Sequence, residues 1–120
     1  MDTKGGRCSI EINGSTYSAR AKATIMPSRV SRENGVNLDG TGYSTIKPAL
    51  AGIDLTFDRG LGIVWDEALM LTELNVTFVE DDLGVTHLFT GAAFEGATSL
   101  DTETGEVSGL SIRTDKYQVI

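Results

Sequence analysis

RCSIEING, residues 7–14, alternates apolar and polar side chains and then ends in a turn dipeptide. The apolar side chains fall on every second residue and share one face, as they do in a half-buried β-strand. Asn13-Gly14 is the strongest short-range signal for a β-hairpin. The sequence therefore predicts a hairpin whose second strand runs back over residues 15–24.

Beyond this hairpin the chain continues to favour short strands. Residues 63–71 are the one helix candidate, because Trp65, Ala68 and Leu69 recur at helical spacing. The further predicted strands, each with apolar residues in phase, are 49–57, 74–80, 85–92, 97–100, 107–114 and 116–120. Six or seven short strands with one helix favour a mainly β domain, a β-sandwich or a barrel-like closed sheet with a short flanking helix.

A long polar segment over residues 27–47 interrupts this pattern. Its centre, SRENGVNLDGTGY at residues 31–43, is rich in glycine and poor in core-forming residues, and Lys47-Pro48 follows it. A compact domain rarely keeps so long a loop unless the loop is functional or disordered. We predict an extended arm loop that becomes ordered against a partner.

Composition bounds the class of protein. The 120 residues make one domain, 1–120, and the single cysteine excludes an intramolecular disulfide. No signal-peptide core or membrane-spanning run is expected, which favours a protein kept in a cytoplasm or in an assembly built there. The net charge of −7 argues against a nucleic-acid grip but is compatible with nucleic acid passing by without adhesion.

Acidic residues gather at two predicted turns. Asp81 and Asp82 lie in the first turn, and Asp101 and Glu103 lie in the second. Neither spacing matches a twelve-residue calcium loop, so no metal site is predicted. These carboxylates are either solvated turn charges or part of a surface where negative charge is useful.

Three further side chains have structural interpretations. His87 is expected to be an ordinary strand residue, and Cys8, in phase with the isoleucines of its strand, a small buried hydrophobe. Trp65 is either a core plug or an interface anchor.

An enzyme is not predicted. One histidine and one cysteine supply no nucleophile with a base and an orienting carboxylate, and no cofactor is implied. Gly60-Leu61-Gly62 lacks the remaining residues of a phosphate-binding loop, and strand-to-helix geometry explains its glycines. An enzyme using paired acids is therefore the interpretation that the sequence supports least.

The order of the elements resembles the tail tube protein of Mu-like contractile-tailed bacteriophages, which is related to type VI secretion tube proteins. The match covers nearly the whole chain and depends on order and length more than on any single motif. The residues that carry it are Gly5-Gly6 to Gly14, the arm with Asp39-Gly40-Thr41-Gly42-Tyr43, the strand 53–57, the helix near 66–71, the strand near 74–80, Phe89 to Gly96, and the turn at 105–107.

The resemblance implies a structural virion protein in the phage tail, assembled in the host cytoplasm. Hexameric rings would stack into a tube that delivers DNA, with sheath, baseplate or initiator, and tape measure proteins as partners and no specific binding to the DNA. The arm would contact a neighbouring subunit or ring through Arg29, Arg32, Glu33, Asp39 and Tyr43. Acidic residues would line the lumen.

A different class remains open alongside the tube subunit. A monomeric β-sandwich binding module would use the same segment, 27–47, to capture a ligand. It predicts a stable monomer at high concentration, whereas a tube subunit predicts rings or tubes.

Overall fold

The fold is taken from a computed structural model that describes residues 1–60 and 63–120, with the side chains of residues 21 and 22 also left aside. Strand accounts for 62% and helix for 3%, so the predicted mainly β class is confirmed. The elements of the described residues are β1 (Cys8–Ile12), β2 (Ser15–Tyr17), β3 (Ala19–Met26), β4 (Val30–Val36), β5 (Gly42–Pro48), β6 (Ala51–Asp58), α1 (Glu67–Met70), β7 (Leu74–Glu80), β8 (Val85–Leu100), β9 (Glu106–Thr114) and β10 (Lys116–Val119).

Eight of these strands form one sheet that bends into a nearly closed, barrel-like shape. Its order is β2-β1-β7-β8-β9-β6-β3, and β10 pairs with β8 beside this path. Every pairing is antiparallel. β4 and β5 stand apart and pair with each other.

The core lies inside this curved sheet. Along β6 every second side chain, from Ala51 to Phe57, is buried, which matches the predicted alternation. Aromatic rings close the interior, since Phe57 lies 5.4 Å from Trp65 and 6.4 Å from Phe94 between ring centroids. Edge-to-face and tilted ring pairs of this kind add to the stabilisation from apolar burial.

β8 joins the two halves of the sheet. The sequence predicted two strands here, 85–92 and 97–100, but the structure has one strand of 16 residues. Its first part pairs with β7 and β10, and its last part, residues 93–100, pairs with β9. We call the layer formed by residues 93–100 of β8 with β9, β6 and β3 the four-stranded half-sheet.

The predicted return strand over 15–24 is in fact two strands. β2 pairs with β1, whereas β3 pairs with β6 on the far side of the sheet, and Ser18 separates them. The Ser18 carbonyl accepts a hydrogen bond from the Asp58 backbone N–H at 2.8 Å, which draws the chain across. A seam therefore stays open between β1–β2 and β3.

This seam explains why the prediction for Cys8 is wrong. β2 covers β1 only from Ile10 to Ile12, so Cys8 at the start of β1 is exposed. Partial desolvation, together with nearby acidic side chains including Glu80, raises the pKa of its thiol. Cys8 is thus an exposed thiol that is little inclined to ionise.

The helix is shorter than its predicted range of 63–71. Asp66 has an extended backbone and caps the helix, its carboxylate accepting N–H bonds from Ala68 at 3.1 Å and Leu69 at 3.4 Å. A capping aspartate fixes the first helical residue after itself, so α1 is a single turn. In the described part of the chain, no helix has the length and apolar character needed to cross a membrane.

The arm over 27–47 is present, but it is a β-hairpin rather than a loop. β4 and β5 pair over seven positions, from Val30 opposite Pro48 to Val36 opposite Gly42. Almost all of its side chains are exposed on both faces, so its sequence carries no burial-driven alternation. The polar composition of the arm therefore favoured a loop, although the segment forms a regular β-hairpin.

Candidate functional site

The arm projects away from the body of the protein. The radius of gyration is 17.4 Å, whereas a compact domain of this length has about 14 Å. An isolated two-stranded hairpin is marginally stable in water. The arm is therefore an element that gains stability when another surface covers it.

The tip of the arm is a turn that side-chain hydrogen bonds stabilise. The Asp39 carboxylate accepts hydrogen bonds from the Thr41 N–H at 3.0 Å and from the Thr41 hydroxyl at 2.6 Å. These bonds lower the pKa of Asp39. Gly40 takes a left-handed φ of 88° with open space around it. Asp39, predicted as a contact residue, already has an intramolecular role.

One face of the arm is polar and partnered within the hairpin. Lys47 Nζ lies 2.6 Å from Glu33 Oε2. The Tyr43 ring lies over Gly35, where a Cβ would clash with it. Glu33 and Tyr43, two predicted contact residues, thus stabilise their own hairpin, and 54% of Tyr43 remains exposed.

The opposite face is exposed and carries apolar side chains among polar ones. Cross-strand register places Val30, Val36 and Ile46 on this face together with Arg32, Asn34 and Ser44, because directly opposed residues in a ladder share a side. Val30, Val36 and Ile46 are 57%, 74% and 59% exposed, and Leu38 at the tip is fully exposed. We call Val30, Val36, Ile46 and Pro48 the apolar arm face.

Sequence reasoning missed this face because the arm was read as a loop. Val30 and Val36 lie an even number of positions apart within a polar run. This spacing predicts a shared face only if the segment is assigned as a strand. Of the predicted contact residues, Arg32 alone lies on the apolar arm face.

The base of the arm is anchored to the sheet. Arg29 Nη1 donates a hydrogen bond to the Asp115 carbonyl at 2.8 Å. The Ala49 N–H donates to the Arg29 carbonyl at the same distance and closes the hairpin. Arg29 therefore orients the arm rather than extending from it.

The four-stranded half-sheet has two edges without backbone partners in the described residues. One is the outer edge of β3 and the other is the outer edge of residues 93–100 of β8. Three antiparallel pairings separate these edges, so they run in opposite directions. An unpaired edge is a template for a strand of another chain.

The outward face of this half-sheet is polar. Side chains that alternate with buried ones point away from the core, and those on the central strands are Asp54, Thr56, Asp58, Glu106, Ser108, Ser111 and Arg113. None of the large exposed hydrophobic side chains lies on its strands. The face is suited to water or a polar neighbour rather than to dry packing.

The four acidic side chains predicted as turn or lumen residues lie in two separate turns. The turn with Asp81 and Asp82 and the turn with Asp101 and Glu103 stand at opposite ends of β8. Asp82 is engaged by Arg7 at 2.7 Å, and this hydrogen bond lowers its pKa. The structure therefore does not gather these four carboxylates on one surface.

The Asp101 carboxylate is also engaged within its own turn. It accepts N–H bonds from Glu103 at 2.9 Å and Thr104 at 3.3 Å. These bonds lower the pKa of Asp101. Both acidic turns are thus organised locally.

Trp65 is partly buried and packs against the core. Its ring lies 5.8 Å from Tyr17 and 5.4 Å from Phe57, so it covers the interior beside α1. Of the two predicted roles, the geometry favours the core plug. The Gly60-Leu61-Gly62 segment before it falls partly outside the described residues.

His87 is a buried strand residue in a polar network. Its Nδ1 lies 2.6 Å from the Tyr117 hydroxyl and its Nε2 lies 2.8 Å from Glu80 Oε2. Burial raises the pKa of Tyr117, and the Glu80 charge adds to the effect. The network ties β10 to β8 and β7.

We expect His87→Ala to lower the free energy of unfolding by about 2 kcal/mol, because it leaves Tyr117 and Glu80 without their partner and opens a cavity. Cys8→Ser, at an exposed position, is expected to change it by less than about 0.5 kcal/mol. Urea unfolding of both variants measures the difference. Equal midpoints would show that the network adds no stability.

A groove of about 740 Å³ follows the open seam. Its lining includes Ile10, Tyr17, Ile25 and Phe78, with Glu80 at one side. Among the described residues, no three His, Cys, Asp or Glu side chains come together as metal ligands would.

A barrel-like sheet with unpaired edges and a projecting hairpin offers surfaces on which further copies of a chain can add. The chain belongs to the phage tail tube protein family, whose model matches residues 1–113. This family is structural rather than enzymatic. The chain is thus a structural component of a tail. No curated protein matches the sequence significantly.

Solved structures share the fold at low sequence identity. A cryo-EM structure of the PVC sheath/tube terminator, from an extracellular contractile injection system in the extended state, has 11% identity and a TM-score of 0.63, covering 100% of this chain and 97% of that one. The anti-feeding prophage cap, a tube-terminating cap, has 12% identity and a TM-score of 0.63, covering 100% and 93%. The PVC sheath-tube complex has 11% identity and a TM-score of 0.60, covering 95% and 88%.

Proposed function

We propose that this protein self-assembles into stacked hexameric rings that form the inner tail tube, through which phage DNA is delivered to the host. The observation that carries the proposal is the pair of oppositely directed free edges on the four-stranded half-sheet. Family membership supports it.

Ring closure follows from the direction of these edges. When β8 of one copy meets β3 of the next, the new pair is antiparallel, like every other pair of the half-sheet. The contact is head-to-tail, and such contacts generate a ring when the rotation closes. Closure removes every edge of the half-sheet, which an isolated copy leaves exposed.

The polar face of the half-sheet would line the channel. With four strands per copy and about 4.8 Å between strands, a hexameric ring encloses about 37 Å between backbones, before strand tilt widens it. That width accommodates side chains and a DNA duplex.

Stacking of rings is assigned to the arm. The apolar arm face is exposed in a single subunit, and a neighbouring ring would bury it along the tube axis. Sheath, initiator and tape measure proteins would then bind the remaining surfaces, and tail components of this kind are assembled in the host cytoplasm.

Negative-stain microscopy of the purified protein, with its mass measured across concentration, tests the proposal. Rings or hollow tubes are the expected result. Addition of baseplate components is the decisive condition if nucleation is slow. A strict monomer under both conditions would instead favour a binding module that uses the arm.

We expect a disulfide ladder when Thr24→Cys on β3 is combined with a cysteine at Ala93, Glu95 or Ala97 on β8, in a Cys8→Ser background. Cross-strand neighbours have the Cα spacing that a disulfide requires. Non-reducing electrophoresis after oxidation should show bands up to the number of copies in the ring.

The control combines Thr24→Cys with Thr77→Cys on β7, which lies outside the four-stranded half-sheet and should give no ladder. If assembled tubes yield no linked species with any of the three β8 positions, these two edges do not form the contact between subunits.

A further inference from the structure

Arg113 lies flat along the polar face of the four-stranded half-sheet, in a position that Gly52 makes available. A Cβ on Gly52 would lie 2.8 Å from Arg113 Cδ and 2.9 Å from Nη1, and it would clash with the Ile112 carbonyl. Arg113 Nη1 also donates to that carbonyl at 3.0 Å. The arginine is thus seated against the backbone instead of extending into solvent.

Carboxylates from both neighbouring strands hold this guanidinium. Arg113 Nη1 donates to Asp54 Oδ1 on β6 at 2.9 Å, and Arg113 Nε lies 3.4 Å from Glu95 Oε2 on β8. Burial raises the pKa of Asp54, but hydrogen bonds from Arg113 and Ser111 outweigh it and set the pKa below its usual range. The Arg113 side chain is only 21% exposed, while that of Glu95 is 67% exposed.

We propose that Asp54 and Glu95 form a clamp that keeps Arg113 from binding DNA phosphates as the duplex passes through the channel. Arginine is the side chain best matched to phosphate, since its planar fork donates two parallel hydrogen bonds. Here Asp54 lies at Nη1 and Glu95 lies near Nε of the Arg113 guanidinium. This inference rests on the proposed function, because it requires the polar face to line the channel.

A second basic residue on the same face also has a carboxylate partner. Arg20 on β3 forms an ion pair with Asp58 on β6. Arg113 and Arg20 therefore bridge neighbouring strands, while their carboxylate partners cancel their attraction for a polyanion. Sliding DNA would meet no regularly repeated cation at these positions.

The experiment frees Arg113 by removing the two charges without changing side-chain shape. Wild-type protein and Asp54→Asn/Glu95→Gln are each assembled into tubes in the presence of a fluorescent 20-base-pair duplex, and the tubes are pelleted at low salt. We expect the variant tubes to retain at least about fivefold more DNA, and to release it when salt is raised, as phosphate contacts require. The retained DNA should resist nuclease because it lies in the channel.

The matched control is Asp81→Asn/Glu103→Gln, which changes the net charge equally in turns away from this face and should retain as little DNA as wild type. Adding Arg113→Gln to the clamp variant should restore low retention. Equal retention by clamp and control variants, or retained DNA that nuclease removes, would overturn the inference alone. Failure of the wild-type protein to form tubes, with and without baseplate components, would overturn the proposed function and, with it, the inference.

Discussion

Ile46→Glu is expected to weaken tube assembly strongly while leaving the subunit folded. Ile46 lies at the middle of the apolar arm face and is 59% exposed in the isolated protein. Because Ile46 is already partly covered, burying the rest of it in an assembly contributes about 1–2 kcal/mol, and a glutamate there adds a desolvation cost on top of that loss. Since every 1.4 kcal/mol is tenfold in affinity, the critical concentration should rise at least about tenfold.

The arm offers a matched control for this substitution. Ile46 pairs with Arg32 across the hairpin, and Ser31, on the polar face, pairs with Lys47. Ile46→Glu therefore places a glutamate opposite Arg32, and Ser31→Glu places one opposite Lys47, which already pairs with Glu33. Sedimentation and negative-stain microscopy measure assembly, and circular dichroism checks the fold.

We expect Ser31→Glu to assemble like wild type. Assembly lost equally in both variants would show that added charge, not loss of the apolar arm face, is responsible. Tubes formed normally by Ile46→Glu would show that this face stays exposed in the tube, and the arm would then need another role.

The arm also shows where sequence reasoning succeeds and where it stops. Its position, its glycine-marked tip and its unusual length were readable, because turn chemistry is local. Its pairing was not, because neither face is buried in the subunit and alternation arises from burial on one side. Most of the residues proposed as arm contacts were charged, yet Glu33 and Asp39 form hydrogen bonds within the arm.

Strands with one buried face were predicted closely. β7 lies at its predicted range, 74–80, and β6 differs by one or two residues at its ends. Their alternating residues pack in the core, so the pattern and the structure have the same cause. The break at Ser18 was missed because it depends on a hydrogen bond to Asp58, forty residues further along the chain.

The Arg113 clamp could not be read from the sequence either. Its members Asp54, Glu95 and Arg113 are far apart in the chain, and only the register of β6, β8 and β9 brings them together. The need for glycine at position 52 could not be predicted from the neighbouring sequence, because the atoms that would clash with a Cβ belong to Ile112 and Arg113 on another strand.

Gly109→Ala is expected to cost about 3 kcal/mol or more of the free energy of unfolding. Gly109 has a φ of 84°, a left-handed value that costs an L-residue roughly 1–2 kcal/mol. In addition, a Cβ there would clash with the Ala97 carbonyl on β8. Gly96, on the opposing strand, has a φ of 98°, and its Cβ would clash with the Gly109 carbonyl in turn.

Two facing glycines thus allow β8 and β9 to approach closely where their register shifts between Gly96 and Ser99. Such irregularities bend a strand and increase its twist. In the proposed ring the four-stranded half-sheet lines a channel, so loss of this approach should also impair assembly of any protein that still folds.

Gly84→Ala measures the backbone penalty of a left-handed φ without the steric clash that Gly109→Ala adds. Gly84, in the β7–β8 turn, has a φ of 66° and open space where the Cβ would be, so only the backbone penalty of about 1–2 kcal/mol applies. Thermal unfolding should place Gly109→Ala well below Gly84→Ala, by roughly 5–10 °C for a domain of this size. Equal losses would mean that β8 and β9 separate enough to admit a methyl group, and the curvature of the half-sheet would then have to come from the other register shifts, in β3–β6 and β6–β9.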